Sequence, residues 1–115
     1  EIESTRVADG VWMLEGAGGN MAVSAGADGV VWLDDGTACE LPAFEVTVVD
    51  TTGAGDAFHG AFTLALAEGA DDTSALRFAA ATAAVKCTRP GARRGIPIRA
   101  DVEALLDREL GTEEP

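Results

Sequence analysis

The sequence predicts an α/β protein in which a mainly antiparallel sheet of four to five strands leads into a strand, a glycine loop and a helix. Two further helices follow, and all three are expected to pack on one face of the sheet. Short apolar runs separated by Asp-Gly dipeptides fill the first half, and after Gly55 the apolar spacing becomes that of a helix. No low-complexity linker interrupts the 115 residues, of which 47% are apolar, so we expect a single domain over residues 1–115.

The predicted strands are apolar runs bounded by turn residues. Asp9-Gly10, Asp28-Gly29 and Asp35-Gly36 are dipeptides of the kind most common in two-residue hairpins. Links this short join antiparallel neighbours and leave no room for crossover helices. The strand candidates are residues 11–14, 21–25, 30–33, 38–41 and 45–49.

The second half has the spacing of helices that bury one face. Apolar residues at i, i+3, i+4, i+7 and i+8 from Phe58 predict a first helix ending at Gly69. The same pattern from Leu76 to Cys87 predicts a second helix, whose alanines allow a neighbouring helix to approach closely. Its predicted cap is Asp72-Thr73, and Pro90-Gly91 ends it. A third helix is expected over residues 99–110.

The net charge of −12 argues against a nucleic-acid partner, because phosphate backbones favour clustered Lys and Arg. The basic residues are nevertheless unevenly distributed: of eight, only Arg6 lies before Arg77. This basic C-terminal third either attracts a nucleotide polyphosphate or is ordinary surface charge. Its members are Arg77, Lys86, Arg89, Arg93, Arg94, Arg99 and Arg108.

The two cysteines suggest no disulfide framework, which favours a reducing, cytoplasmic location. Cys39 and Cys87 are interpreted as small buried or bystander thiols, and His59 as a helix-surface residue. No combination of them has the usual spacing of a zinc site. No run approaches twenty apolar residues and no signal peptide is recognisable, so we expect no membrane association.

One segment, Asp50-Thr51-Thr52-Gly53-Ala54-Gly55-Asp56, carries most of the functional signal. It follows a β-branched run and opens a helix, so the N–H groups of Gly53, Ala54 and Gly55 are predicted to form an anion cradle. Asp56 places a proton acceptor beside that cradle, the minimal layout for phosphoryl transfer to a hydroxyl. The competing interpretation is a capped strand-to-helix turn that needs glycine only for its geometry.

The segment closely resembles the C-terminal signature of the ribokinase-like, phosphofructokinase B group of carbohydrate kinases. Weaker similarity extends over residues 23–110, including Ser24 to Gly29 and the Thr88-Arg89-Pro90-Gly91-Ala92 turn. The resemblance implies that Asp56 takes the proton of the substrate hydroxyl and that Gly53, Ala54 and Gly55 form the anion hole. It also implies ATP with Mg²⁺, and a monovalent cation such as K⁺. The implied nucleotide-binding residues are Ser24, Gly26, Gly29 and Ala80, and the implied cation-binding residues are Asp50, Thr52, Lys86, Arg89 and Gly91.

The chain also departs from that family. Such kinases are much longer and carry an Asn-x-x-Glu motif, whereas the single asparagine, Asn20, is followed by Met21-Ala22-Val23. Two functions therefore remain open. One is the remnant of an ATP-dependent kinase site that binds nucleotide phosphate with weak or no transfer. The other is a catalytically silent, chimeric or engineered protein whose loop holds sulfate or phosphate.

The first residues resemble a different family. Residues 2–35, with Gly18-Gly19-Asn20 between two predicted hairpins, are similar to the opening strands of metallo-β-lactamase-fold hydrolases. This resemblance predicts a hybrid chain joined within residues 23–35. Hydrolase activity is not expected, because a two-metal site needs several histidines and the chain has only His59.

Exposed apolar surface is expected on an isolated copy of either half. Trp12 and Trp32 on the early strands and the alanine-rich helix faces are the candidates. Burying such surface, or pairing a free sheet edge, favours self-association. We therefore expect a homodimer or a larger homo-oligomer.

Overall fold

The computed structural model describes the backbone of residues 3–8, 11–16, 19–26, 29–34 and 37–113, and side chains within 29–33 and 37–109. The chain divides into two compact units, Glu1–Ala43 and Phe44–Pro115. The α/β class and the three helices agree with the sequence. The single domain, and the packing of the helices on one face of the sheet, stay predictions.

The first unit is an antiparallel sheet whose strands lie side by side in chain order. In β4, Val30 and Trp32 are buried while Val31 and Leu33 are half-exposed, which is the two-residue period of a strand. Trp32 is thus not the exposed residue that we expected. The side chain of Trp12 lies outside the described residues, and so do the turns Asp9-Gly10 and Asp35-Gly36. The strands are β1 Glu3–Ala8, β2 Val11–Gly16, β3 Gly19–Gly26, β4 Gly29–Asp34 and β5 Thr37–Pro42.

The predicted strand over residues 45–49 is wrong. Residues 43–48 have no regular secondary structure, since among the described residues they join no ladder. The N–H groups of Val49 and Asp50 instead donate to the Cys87 carbonyl at 2.7 and 3.1 Å. The β-branched run therefore enters the glycine loop as an extended segment attached to a helix end.

The second unit contains α1 Ala54–Ala67, α2 Asp72–Cys87 and α3 Arg99–Glu113. Gly69 ends α1 as predicted, with a φ of 95°, and the N–H groups of Gly69 and Ala70 donate to Leu66 and Ala65, both at 3.0 Å. This is a Schellman motif. The cap of α2 is Asp71, not Asp72-Thr73, because the Asp71 carboxylate accepts from the Ser74 N–H at 2.7 Å.

Two apolar contacts hold the second unit together. The helices α1 and α2 pack against each other and bury mainly alanine, with Leu76 fully buried, so small side chains permit close approach. Between α2 and α3, Val85, Val102 and Leu105 form a cluster against which Phe44 packs. The glycine loop before α1 and the turn after α2 are thereby fixed beside each other. Of the helices that the structure describes, none is long and apolar enough to cross a membrane.

Candidate phosphate-binding site

The glycine loop turns the chain into α1 through a left-handed residue. Gly53 is the N-cap of α1, with a φ of 79°, a conformation that residues with a Cβ avoid. A Cβ at this position would also lie 3.0 Å from the Cβ of Ala92, in the turn after α2. The backbone angle therefore favours glycine, and a Cβ would also force Ala92 to move by a few tenths of an ångström.

The start of α1 is left open by the side chains around it. No side chain caps the helix, and the Ala54 N–H donates to the Thr51 carbonyl at 3.1 Å. Within the part of the chain that the structure describes, the N–H groups of Gly53, Gly55 and Asp56 make no backbone hydrogen bond outside the helix. Of the three amides predicted to bind an anion, two thus remain open at the positive end of the helix dipole.

Asp56 lies in the first turn of α1 and is exposed to solvent. Its carboxylate therefore accompanies the open N–H groups on the same turn, as the sequence predicts. His59 follows three residues later and is half-buried.

Asp50 anchors the entrance of the loop to the turn after α2. Its carboxylate accepts from the Thr52 N–H at 2.9 Å and from the Gly91 N–H at 2.8 Å. Hydrogen bonds from the Thr52 side chain and N–H, and then from Gly91, hold the pKa of this carboxyl well below its ordinary value. The charge of Lys86 lowers this pKa by a smaller amount, and partial desolvation opposes the shift.

Lys86 is the only charged side chain buried among the described residues. Its Nζ donates to the Asp50 carbonyl at 2.7 Å and to the Arg89 carbonyl at 3.2 Å. The structure thus links all five residues predicted to bind a monovalent cation through hydrogen bonds. At their centre, however, lies the Lys86 ammonium group itself.

The predicted nucleotide-binding residues lie in both units. Gly26 and Gly29 pair with each other at the ends of β3 and β4, Ser24 lies on β3, and Ala80 is half-buried on α2. Gly29 has a φ of 122°, and a Cβ there would collide with the Leu41 carbonyl, so this glycine is required by the hairpin itself. Their assembly beside the glycine loop stays a prediction.

Most basic residues of the C-terminal third have structural partners. Arg77 stacks on the Phe44 ring at 5.4 Å, Arg89 pairs with Asp101 at 3.0 Å, and Arg99 pairs with Glu68 at 2.9 Å. Arg93 and Arg94 are exposed and, within the described residues, belong to no ion pair. They follow Ala92, the residue that contacts Gly53, and so supply positive charge next to the loop.

Two residues of this site escaped the sequence analysis. Ala92 packs behind Gly53, and Gly95 lies against the Lys86 side chain, where a Cβ would be 2.9 Å from Cε. The sequence contains no signal for the second, because Lys86 lies outside the apolar stripe predicted for α2 and its burial is seen only in the structure.

A carbohydrate kinase family model, described as the pfkB family, matches residues 4–99. The chain belongs to this family. A ribokinase of Bacillus subtilis is 45% identical over 84 residues, which are 73% of this chain and 29% of the relative. A 2-dehydro-3-deoxygalactonokinase of Haloferax volcanii is 45% identical over 71 residues, 62% of this chain and 22% of the relative.

The solved structure of an Arabidopsis thaliana ribokinase with ribose and ATP matches with a TM-score of 0.69 and 37% identity. The match covers 73% of this chain and 28% of that protein. The chain thus spans less than a third of the length of these relatives. The kinase match begins at residue 4, far before residue 23, where we expected it to start. The metallo-β-lactamase-like segment, and with it the predicted hybrid, is therefore not supported.

Proposed function

We propose that this chain carries the phosphate-binding loop and the catalytic base of an ATP-dependent carbohydrate kinase. The observation on which the proposal depends is the open start of α1, where Gly53 and Gly55 offer N–H groups beside the exposed carboxylate of Asp56. An anion fits there because unpaired amides and the helix dipole act in the same direction. Family membership supplies the reaction class.

In the proposed reaction, Asp56 accepts the proton of a sugar hydroxyl, and the oxygen of that hydroxyl attacks the terminal phosphorus of ATP. The bond between this phosphorus and the oxygen that bridges it to the β-phosphate breaks, and ADP leaves. The N–H groups of Gly53 and Gly55 hold the negative charge of the transferred group, which is the main requirement of phosphoryl transfer. Mg²⁺ bound with ATP neutralises further phosphate charge, and we assign no described residue as its ligand.

The charges near the loop support a polyphosphate ligand. Arg93 and Arg94 are exposed in the turn that packs behind Gly53, whereas Arg77, Arg89 and Arg99 are engaged elsewhere. A local basic turn on a chain of net charge −12 attracts anions specifically to this place. The alternative predicted from the sequence was ordinary surface charge. It describes the three arginines that have partners better than it describes Arg93 and Arg94.

The sugar is not chosen by this part of the protein. A ribokinase and a 2-dehydro-3-deoxygalactonokinase are each 45% identical to this chain, over 84 and 71 residues. A segment shared equally between kinases of different sugars is best explained as the part that handles phosphate. We propose that the sugar is selected by parts of these kinases outside the present match.

Calorimetric titration with ATP–Mg²⁺ tests the proposal on the parent chain and three variants. Gly53→Ala is expected to abolish or greatly weaken binding, since its Cβ strains the loop. Gly69→Ala is the matched control, because Gly69 also has a positive φ but ends α1 at the opposite side, with open space around it. Asp56→Asn is expected to bind ATP–Mg²⁺ at least as well as the parent, because it removes negative charge.

Absence of heat in the folded parent contradicts nucleotide binding by this chain. Equal losses of ATP–Mg²⁺ affinity in Gly53→Ala and Gly69→Ala contradict a role for the loop in binding. Backbone strain at a glycine of positive φ would then explain both losses. Binding of phosphate or sulfate without ATP hydrolysis supports the catalytically silent alternative. Slow hydrolysis that disappears in Asp56→Asn supports catalysis.

We also propose that the chain self-associates. Val31 and Leu33 on β4 and Ile96 and Ile98 before α3 are each about half-exposed or more. Val31 and Leu33 are two residues apart on β4 and so lie on the same face of the strand, where neighbouring exposed apolar side chains favour association. Sedimentation at tens of micromolar is expected to give a dimer or larger species, and a clean monomer contradicts this part of the proposal.

A further inference from the structure

We propose that Lys86 is a built-in monovalent cation. Its ammonium group lies among Asp50, Thr52, Arg89 and Gly91, the other residues that the carbohydrate-kinase resemblance implies for a K⁺-type ion, and it takes the place of that ion. The phosphate-binding loop of this chain is then supported without any bound cation. The proposal rests on the geometry of the turn after α2 and not on phosphoryl transfer.

The contacts of Nζ are those of a small cation. It lies 2.7 Å from the Asp50 carbonyl oxygen and 3.2 Å from the Arg89 carbonyl oxygen. Backbone carbonyl rings are the usual ligands of K⁺ in proteins, and an ammonium group donates to the same oxygens. A second cation placed on these two carbonyls would meet the ammonium group directly.

The charge balance leads to the same conclusion. Lys86 is fully buried, and a buried charge is tolerated only when it is paired. The carboxylate of Asp50, held by the N–H groups of Thr52 and Gly91, supplies the opposite charge within the same cluster. One ammonium and one carboxylate leave the cluster with no net charge, so an additional K⁺ would place an uncompensated positive charge beside the buried ammonium group.

Gly95 makes room for the lysine. It is buried, and a Cβ there would lie 2.9 Å from Cε and 3.3 Å from Nζ of Lys86, and 2.6 Å from the Gly91 carbonyl oxygen. Any larger residue would displace the ammonium group. The long side chain at position 86 and the absent side chain at position 95 are therefore complementary.

The proposed role of Lys86 is to position the loop. The ammonium group links the Asp50 carbonyl, at the entrance of the loop, to the Arg89 carbonyl, in the turn that leads to Ala92. Ala92 in turn lies against Gly53. Removing the charge should therefore loosen the support of the phosphate-binding amides, and a cation of the right size should restore it.

The first test uses the parent chain in KCl, NaCl and tetramethylammonium chloride of equal ionic strength. The melting temperature is expected to be the same in the three salts. Thallium NMR, with Tl⁺ as a probe for K⁺ sites, is expected to show no bound Tl⁺ that K⁺ displaces. A K⁺-specific rise in melting temperature, or displaceable Tl⁺, overturns the proposal.

The second test compares Lys86→Ala with Lys86→Met. The alanine variant opens a cavity lined by carbonyl oxygens, so its melting temperature should fall and then recover in KCl but not in tetramethylammonium chloride. The methionine variant fills the same space without charge, so its melting temperature should fall and should not recover in any of the three salts. Phosphate affinity is expected to follow the same pattern, which a purely structural lysine would not produce.

A folded Lys86→Ala chain that melts at one temperature in all three salts overturns the proposal. If that variant does not fold in any salt, the thallium measurement on the parent decides. Failure of ATP binding in the parent contradicts the proposed kinase function but leaves these melting and thallium results interpretable. The proposed kinase function and the proposed role of Lys86 can therefore be contradicted independently.

Discussion

The carboxylate of Asp50 accepts a hydrogen bond from the Gly91 N–H at 2.8 Å, although 41 residues separate them. The same residue accepts from Lys86 through its carbonyl at 2.7 Å. Asp50 thus joins the entrance of the phosphate loop to the turn after α2 with both its side chain and its backbone. The following predictions test the consequences of this link and of the packing around it.

Asp50→Asn is expected to be less stable than the parent at neutral pH. The folded state lowers the pKa of Asp50 below its ordinary value of 3.8, so ionisation favours folding above that value. The contribution is lost as the pH falls from about 4 toward the lowered pKa, because protons then bind the unfolded chain first. Urea midpoints from about pH 7 to about pH 3 should therefore converge for parent and variant.

Asp107→Asn is the control for that experiment, since Asp107 is an exposed carboxylate on α3. It removes the same formal charge without touching the Asp50 cluster. A constant difference between parent and Asp50→Asn across the pH range contradicts the assigned role of the ionised carboxylate.

Gly53→Ala and Gly60→Ala should change stability in opposite directions. Gly53 has a positive φ and contacts Ala92, so alanine should cost about 1–2 kcal/mol. Gly60 lies on the exposed face of α1, and a Cβ there would have nothing within 4 Å. Alanine should therefore raise the free energy of unfolding by roughly 0.5–1 kcal/mol. Chemical denaturation measures both, and a Gly53→Ala chain as stable as the parent contradicts the strained-loop geometry.

Leu76→Ala should destabilise the second unit by about 2–5 kcal/mol, because Leu76 is fully buried and its removal leaves a cavity. Leu64→Ala is the matched change on α1, where the leucine is 47% exposed, and should cost about 1 kcal/mol or less. Equal losses of stability for the two variants in urea titrations would contradict the full burial of Leu76.

Cys87 should react slowly with thiol reagents in the folded chain. Burial raises the pKa of its thiol, the charge of Lys86 partly offsets this, and the thiolate fraction near neutral pH is therefore small. In a Cys39→Ser background, alkylation followed by mass spectrometry should be slower than for free cysteine and should accelerate in denaturant. A rate equal to that of free cysteine contradicts this burial.

The helices were predictable because local spacing and end signals agree with their packing. Gly69 ends α1 through a Schellman motif whose only sequence requirement is a residue that tolerates positive φ. The cap of α2 was misplaced by one residue because Asp71 and Asp72 are both suitable caps, and only the hydrogen bond to Ser74 distinguishes them.

The extended residues 45–49 were misjudged for a different reason. A strand needs a partner, and sequence alone does not show that the N–H groups of Val49 and Asp50 go to Cys87. The metallo-β-lactamase resemblance failed because short hairpins with glycine turns occur in unrelated families. The glycine loop was predictable from its residues, whereas the position of the Lys86 head group depends on Asp50, Arg89 and Gly95 meeting in space.

Every strand of the sheet neighbours the one that precedes it along the chain, from β1 to β5. Such a meander closes only small loops, so each hairpin can form before the next has been synthesised and little chain entropy is lost at any step. Residues 3–42 are consequently expected to pair rapidly during folding, because each strand finds its partner after closing only a short loop.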